Sequence, residues 1–375
     1  MDELIYFDNH ASTKIDERVL NSMLPYFSEF YANPSSGHSF ATYAKAAIEL
    51  SKKQLADYFA VDASNIEFTS SATESINLAI LGYVKANSGN RKHIISSNME
   101  HPAVTACLDY LEQNGFEITY LKATETGVID LSSLVKALRK DTLLVSIAAV
   151  NGEIGTIQDI NLFNSACKEN GTVFHTDASQ ATGKIEKSFF KNNFSLLSFS
   201  GHKIHGPKGS GALIKSNEAS GFKLAPLILG GNRISAISGT LNTPCIVGIG
   251  KALSLCDYEI ERFKYTGELR NQLQSQLLEL FPDGKVNGEI AKRVPVNLSF
   301  TFPSISTVEF LKKQKKIAVS SGSACSTGDG TPSKILINTG LNKEQALSTV
   351  RFGLSKFTTI QEIDTLIELL RSAKK

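Results

Sequence analysis

The chain lacks any Cys-x-x-Cys pair. Its five cysteines, Cys107, Cys167, Cys245, Cys256 and Cys325, are odd in number and widely spaced, which argues against a disulfide framework or a zinc site. It also lacks a long apolar run: the longest, around 143–150, falls well short of the roughly 20 residues of a membrane helix. An excess of either charge is missing too, since 39 Lys+Arg against 37 Asp+Glu leave +2. That balance carries no footprint of a dedicated nucleic-acid or membrane-surface binder. The one local concentration, Lys312, Lys313, Lys315 and Lys316, reads as a solvated face. Met1-Asp2-Glu3 lacks the basic-then-apolar pattern of a secretory signal, so a cytoplasmic location without membrane or direct nucleic-acid partners is expected. No repeat or low-complexity tract suggests a solenoid or a disordered tail.

What is present is a globular composition, 42% hydrophobic and 20% charged with 27 glycines, long enough for one large domain and a smaller companion. Short β-rich runs at 66–69, 93–96, 116–121, 143–150, 173–175, 196–200 and 211–214 alternate with helix-period stripes such as Ile76, Ala79, Ile80, Tyr83 and Val84. This predicts an α/β fold: βαβ units, a mostly parallel seven-stranded sheet and helices on both faces. A single long helix is expected over 246–280, ending at Phe281-Pro282-Asp283-Gly284, followed by a smaller α+β part. The division drawn is 15–255 for the large domain, with 1–14 and 256–375 forming the small one.

Chemistry concentrates where predicted strands end. Ser198-Phe199-Ser200-Gly201-His202-Lys203 leaves a strand and enters Gly206-Pro207-Lys208-Gly209-Ser210-Gly211. A lysine there can form a Schiff base with a carbonyl cofactor, although a lone lysine before a turn is more often a surface residue. Upstream, Asp177 ends the preceding strand; it serves equally well as a helix N-cap or as the partner of a pyridinium nitrogen. In an open α/β sheet both strand ends border one crevice, and together they favour pyridoxal phosphate. Thr69-Ser70-Ser71-Ala72-Thr73-Glu74 opens a helix and suits both a phosphate cradle and a capping box. His101, after another strand, can stack on a planar ring or shuttle a proton, or be an ordinary loop residue. Asn151 ends a further strand in an Asn-Gly turn. Cys325 sits within Ser321-Gly322-Ser323-Ala324-Cys325-Ser326, a small-residue loop suited to an exposed thiol nucleophile. The other four cysteines have apolar, helix-like neighbours and read as small core side chains.

Together these residues resemble the cysteine desulfurases of the NifS/IscS type, fold-type I pyridoxal-phosphate enzymes related to class V aminotransferases. The likeness runs from Tyr6-Phe7-Asp8-Asn9 to Phe357-Thr358-Thr359. It rests on Ala72-Thr73-Glu74-Ser75, Asn151-x-Glu153-Ile154-Gly155, Ser200-Gly201-His202-Lys203 and Ser321-Gly322-Ser323-Ala324-Cys325. The resemblance implies pyridoxal 5'-phosphate bound covalently by Lys203. Asp177 would pair with its ring nitrogen, Gln180 with its ring hydroxyl, and His101 would stack on the ring. Ala72, Thr73, Ser200 and His202 would contact the phosphate, joined by Thr240 from a second subunit, hence a homodimer. Asn33, Asn151 and Arg351 would hold the carboxylate of L-cysteine, Asn151 also contacting the cofactor. Lys203 would remove the α-proton, Cys325 would take the sulfur as a persulfide while L-alanine leaves, and His101 would manage protons. No metal is implied.

Three positions depart from the family pattern: Ala149 for a usual His, Ile237 for a usual Arg, and Gly328-Asp329-Gly330 in the cysteine loop. They bear on partner choice and entrance surface more than on the reaction. The chain stops at Lys375, without the longer tail some members use to dock an iron–sulfur scaffold. The acceptor is expected to be a protein serving iron–sulfur assembly, tRNA thiolation or DNA sulfur modification. Competing readings are a selenocysteine lyase or an aminotransferase on the same fold, or a non-catalytic sulfur-relay partner.

Overall fold

The computed structural model describes residues 4–230, 236–321 and 331–374. A short strand β1 (Ile5–Tyr6) precedes the main sheet. That sheet contains β2 (Ile66–Thr69), β3 (His93–Ser97), β4 (Glu117–Leu121), β5 (Thr142–Ser146), β6 (Val173–Asp177), β7 (Leu196–Ser200) and β8 (Gly211–Lys215). The order across it is β2-β8-β7-β6-β5-β3-β4. Only β8 runs antiparallel to its neighbours. Every residue of β3, β5, β6 and β7 is buried, as parallel strands covered on both faces require. All seven expected strands are present.

Strand β3 leads outward to β4 at the edge, whereas β5 leads the other way to β6 and β7. The order therefore reverses between β3 and β5, and the crevice beyond the carboxyl ends of such strands is where α/β sheets bind ligands. Register places Asp177 opposite Ser198, so the ends of β6 and β7 lie side by side.

Two expectations are corrected. The strand expected over 143–150 occupies Thr142–Ser146; beyond it the chain follows β6 only through single bonds, Ile147 N to His175 O and Ala149 N to Asp177 O. It then folds into the turn held by Asn151. The single helix expected over 246–280 is two helices, Thr243–Tyr258 and Ile260–Leu280. They meet at Glu259, whose carboxylate pairs with Arg18 at 2.7 Å and Lys356 at 2.7 Å, an anchor that a straight helical pattern does not reveal.

The later strands are β9 (Lys285–Val286), β10 (Asn297–Thr301), β11 (Ile317–Ala318), β12 (Ser320–Ser321) and β13 (Thr349–Gly353). An antiparallel sheet of order β12-β13-β10-β9 forms beside a parallel β1-β11 pair. Ile5 and Phe7 share one buried cluster with Leu273, Leu298, Phe352 and Leu366, separate from the clusters under the main sheet. Apolar burial of this kind is the main stabilising term of each core.

Candidate active site

Lys203 closes a short turn, Gly201–Lys203, directly after β7. Gly201 is required there, because a Cβ would lie 2.2 Å from Ser210 Oγ. The Lys203 amine donates to the main-chain oxygens of His10 at 2.5 Å and Ala11 at 2.9 Å. Asp177, buried at the end of β6, accepts from Ser179 N at 2.9 Å. His101 caps the helix Pro102–Gln113 through Nδ1, which accepts from Ala103 N at 3.1 Å; Nε2 is left as the ring's donor. Desolvation by the strand ends and the Lys203 charge hold this imidazole below its ordinary value, against the pull of Asp177. Asp177 and Lys203 thus both act on His101 at the carboxyl edge of the sheet.

Asn151 is buried and organises the turn that follows β5. Its Oδ1 accepts from Glu153 N and Ile154 N at 2.9 and 3.0 Å, and Nδ2 donates to Met99 O at 3.1 Å. Arg351, on β13, donates from Nη1 to Gly152 O and from Nη2 to Asp8 Oδ1, each at 3.0 Å. Among the described residues its buried Nε has no partner. Gln180 accepts at Oε1 from His10 Nδ1 and Lys184 Nζ, at 2.8 and 2.7 Å, and its Nε2 donates to His10 O at 3.0 Å.

Ala72 and Thr73 begin the helix Ala72–Asn77 behind the N-cap Ser71, whose hydroxyl accepts from Glu74 N. The Glu74 carboxylate turns back to Ser70 N and Oγ, each at 2.6 Å, so capping chemistry is present alongside the first-turn N–H groups that a helix start leaves for an anion. Ser200 Oγ donates to Ser210 O at 3.2 Å. The His202 ring, 3.3 Å from Ser12 Oγ, is pushed down to about 4 by burial and then by Lys203. Asn33 and Thr240 line a different cleft, walled by Tyr26, Phe30 and Tyr31, while Lys203 lines a cavity with Lys184, His205 and Ser355. Cys325 and Gly328-Asp329-Gly330 lie outside the described residues.

Three further residues are brought into this region that the sequence reading passed over. His10 links Gln180 to Asn297 through its two ring nitrogens. Lys184 is buried beneath Gln180, and its amine falls to about 7 through burial and the neighbouring Lys203. Glu100 accepts from Ser97 Oγ at 2.5 Å and, with both oxygens, from Ala148 N at 3.1 Å; burial raises it to about 8. Adjacency to His101 was the one signal available for Glu100. None marked His10 or Lys184, whose partners lie 170 and 4 positions away through Gln180.

The donor set suits pyridoxal phosphate. An amine and a carboxylate stand at neighbouring strand ends, and a helix start and two histidines supply polar contacts. Gly152 keeps the space beside Gln180 clear, since a Cβ there would come within 3.4 Å of Nε2. The unpartnered Arg351 Nε suits a substrate carboxylate.

Residues 5–366 match the family model of class-V aminotransferases. A mitosomal cysteine desulfurase of Trachipleistophora hominis is 43% identical, across 99% of this chain and 86% of that protein. Cysteine desulfurase IscS of Ehrlichia chaffeensis is 39% identical, across 99% of this chain and 91% of the relative. A solved NifS-like protein superposes with a TM-score of 0.90 at 34% identity, covering 99% of both chains. With its switch-point sheet and the lysine and aspartate at adjoining strand ends, the chain belongs to the class-V aminotransferase family and, within it, to the cysteine desulfurases of the IscS and NifS type.

Proposed function

We propose that this chain is a pyridoxal-phosphate-dependent cysteine desulfurase that converts L-cysteine to L-alanine and passes the sulfur through Cys325 to an acceptor protein. The observation that carries the reading is Lys203 in the turn after β7 and Asp177 at the end of the adjoining strand β6, with His101 under the charge of both. Bound there, the cofactor supplies an electron sink for bond changes at the amino acid's α- and β-carbons.

In this reading Asp177 would pair with the ring nitrogen and keep it protonated, Gln180 would donate from Nε2 to the ring oxygen, and His101 would contact the ring. Ala72, Thr73, Ser200 and His202 would hold the phosphate together with the partner subunit's Thr240. The position of Thr240 in a cleft away from Lys203 supports this shared site, as do the exposed Phe27, Tyr31 and Tyr43 near that cleft, which suit burial in a homodimer. Arg351, Asn33 and Asn151 hold the substrate carboxylate.

Lys203 Nζ takes the α-proton of the bound substrate. The Cys325 thiolate attacks the substrate sulfur: the carbon–sulfur bond breaks, a sulfur–sulfur bond forms, and protons returned to the carbon skeleton release L-alanine. In this reading His101, whose Nε2 is left as the ring's donor, moves the thiol and β-carbon protons. Cysteine and the Cys325 thiol thereby become alanine and a persulfide, with no other reactant. The domain division at 15–255 belongs to the same proposal, supported by the separate cluster around Phe7 and Phe352. So does a cytoplasmic location; among the described residues no helix is long and apolar enough to cross a membrane. The acceptor serves iron–sulfur assembly, tRNA thiolation or DNA sulfur modification.

The test pairs wild type with Cys325→Ala, each loaded with pyridoxal phosphate and given L-cysteine and dithiothreitol, with sulfide and alanine quantified together. Equal sulfide and alanine from wild type, both lost in the variant, is the expected result. Sulfide that persists in the variant removes the persulfide role. Cofactor uptake without sulfide in wild type points to selenocysteine or an amino donor as substrate.

A further inference from the structure

We propose that Lys184 is a positioning residue whose buried amine, acting through Gln180 and His10, sets the polarity of the site around Lys203 and the cofactor's ring oxygen. The proposal rests on the reading of Lys203 as the cofactor lysine.

Four residues form one continuous hydrogen-bonded chain. Lys184 Nζ donates to Gln180 Oε1 at 2.7 Å, and His10 Nδ1 donates to the same oxygen at 2.8 Å. Gln180 Nε2 donates to His10 O at 3.0 Å, and that carbonyl also accepts from Lys203 Nζ. Turning the Gln180 amide over would set its N–H groups against two donors and its oxygen against a carbonyl, so the orientation is imposed from both ends. Asn297 Nδ2 donates to His10 Nε2 at 3.2 Å, which leaves the His10 proton on Nδ1, where Gln180 needs it. One N–H of Gln180 Nε2 remains for a ligand, on the side that Gly152 keeps open.

An ion pair does not account for Lys184. It is 6% exposed, and among the described residues no carboxylate lies within ion-pairing distance of its amine. Burying a lone amine costs stability that an apolar side chain of the same length would not. The groups that act on it come from several elements: Lys203 from the turn after β7, Arg351 from β13, Asp177 from β6 and Cys256 from the helix Thr243–Tyr258. In turn its charge reaches His10, His202 and His205. It therefore works in two ways that agree in sign. Donation to Oε1 polarises the amide and strengthens Nε2 as a donor, and in its protonated form the amine sets a like charge close to Lys203 that disfavours a proton on that nitrogen.

The experiment titrates the visible absorption band of the pyridoxal-phosphate-loaded protein against pH for wild type, Lys184→Met and Lys184→Gln. Both variants are expected to keep the cofactor while the midpoint of the band rises by about one pH unit. kcat should fall with KM little changed. An unshifted midpoint in a folded, coloured variant overturns the proposal alone. Failure of both variants to fold assigns Lys184 to packing and overturns it as well. Wild type that takes up no cofactor overturns the functional reading, and this proposal with it.

Discussion

Arg351 and Asp8 are 343 positions apart, yet Arg351 Nη2 donates to Asp8 Oδ1 at 3.0 Å. With Nη1 held at 3.0 Å by Gly152 O, two sides of the guanidinium are fixed, and among the described residues the buried Nε has no partner. A fork preset in this way suits a carboxylate, through parallel charge-assisted bonds that an ammonium cannot reproduce. Arg351→Lys should therefore lower kcat/KM for L-cysteine by about 10- to 100-fold, the worth of one or two such bonds. Steady-state sulfide release checks this, and a loss confined to kcat would move Arg351 away from the substrate carboxylate.

Gly211, the first residue of β8, passes beneath the start of the helix Ala72–Asn77. A Cβ on it would lie 2.5 Å from the carbonyl carbon and 2.7 Å from the carbonyl oxygen of Ser71, backbone contacts that no rotamer change can relieve. Gly211→Ala should displace the helix entrance and weaken pyridoxal phosphate binding about tenfold or more, or roughly 1.4 kcal/mol. Titration of the cofactor-free protein measures it; unchanged affinity would remove this helix start from the phosphate site.

His175 is fully buried between Ser146 Oγ at 2.9 Å and Ser198 Oγ at 3.0 Å, and burial pushes its imidazole down to about 4 from 6.5. Between those values the unfolded chain binds the proton that the folded chain refuses, so stability falls as pH drops through that window. The contribution is roughly 3 kcal/mol in all. Urea unfolding at a series of pH values should show this slope in wild type and a flatter one in His175→Gln. Equal slopes would mean that His175 is not held neutral.

Lys356, 2% exposed in its side chain, bridges Asp16 at 2.6 Å and Glu259 at 2.7 Å, and so ties the break between the two long helices to the amino-terminal segment. Removing Lys356 leaves Arg18 as the cation that still pairs with both carboxylates, and Lys356→Met should cost about 1.5–3 kcal/mol in chemical unfolding, the worth of the lost charged hydrogen bonds. The triple variant with Asp16→Asn and Glu259→Gln should recover part of that loss. No recovery would assign the cost to packing against Phe357 instead.

How much of this was legible in the chain depended on the range of the interaction. The seven strands of the main sheet came from local apolar runs and turn residues, because a parallel strand is buried on both faces and shows itself within five residues. Lys203, Asp177 and His101 were legible for a related reason: each sits where such a run stops, and strand ends in this topology border one crevice. The overlong strand at 143–150 and the unbroken helix at 246–280 were misjudged where tertiary contacts end an element that local pattern would continue. Examples are the Asn151 turn, tied to Met99 O, and the ion pairs at Glu259.

The amino-acid sequence by itself determined the layered α/β architecture, the placement of Lys203 and Asp177 at strand ends, and the family to which the chain belongs, since these follow from periodicity and contiguous motifs. Only the tertiary structure decided that His10, Gln180 and Lys184 meet around Lys203, and that Asp8 presets Arg351. It also separated Thr240 and Asn33 from the Lys203 cavity. Hydrogen bonds and ion pairs reach about 3 Å in space whatever the separation along the chain, so no local pattern of residues encodes which distant groups will satisfy one another.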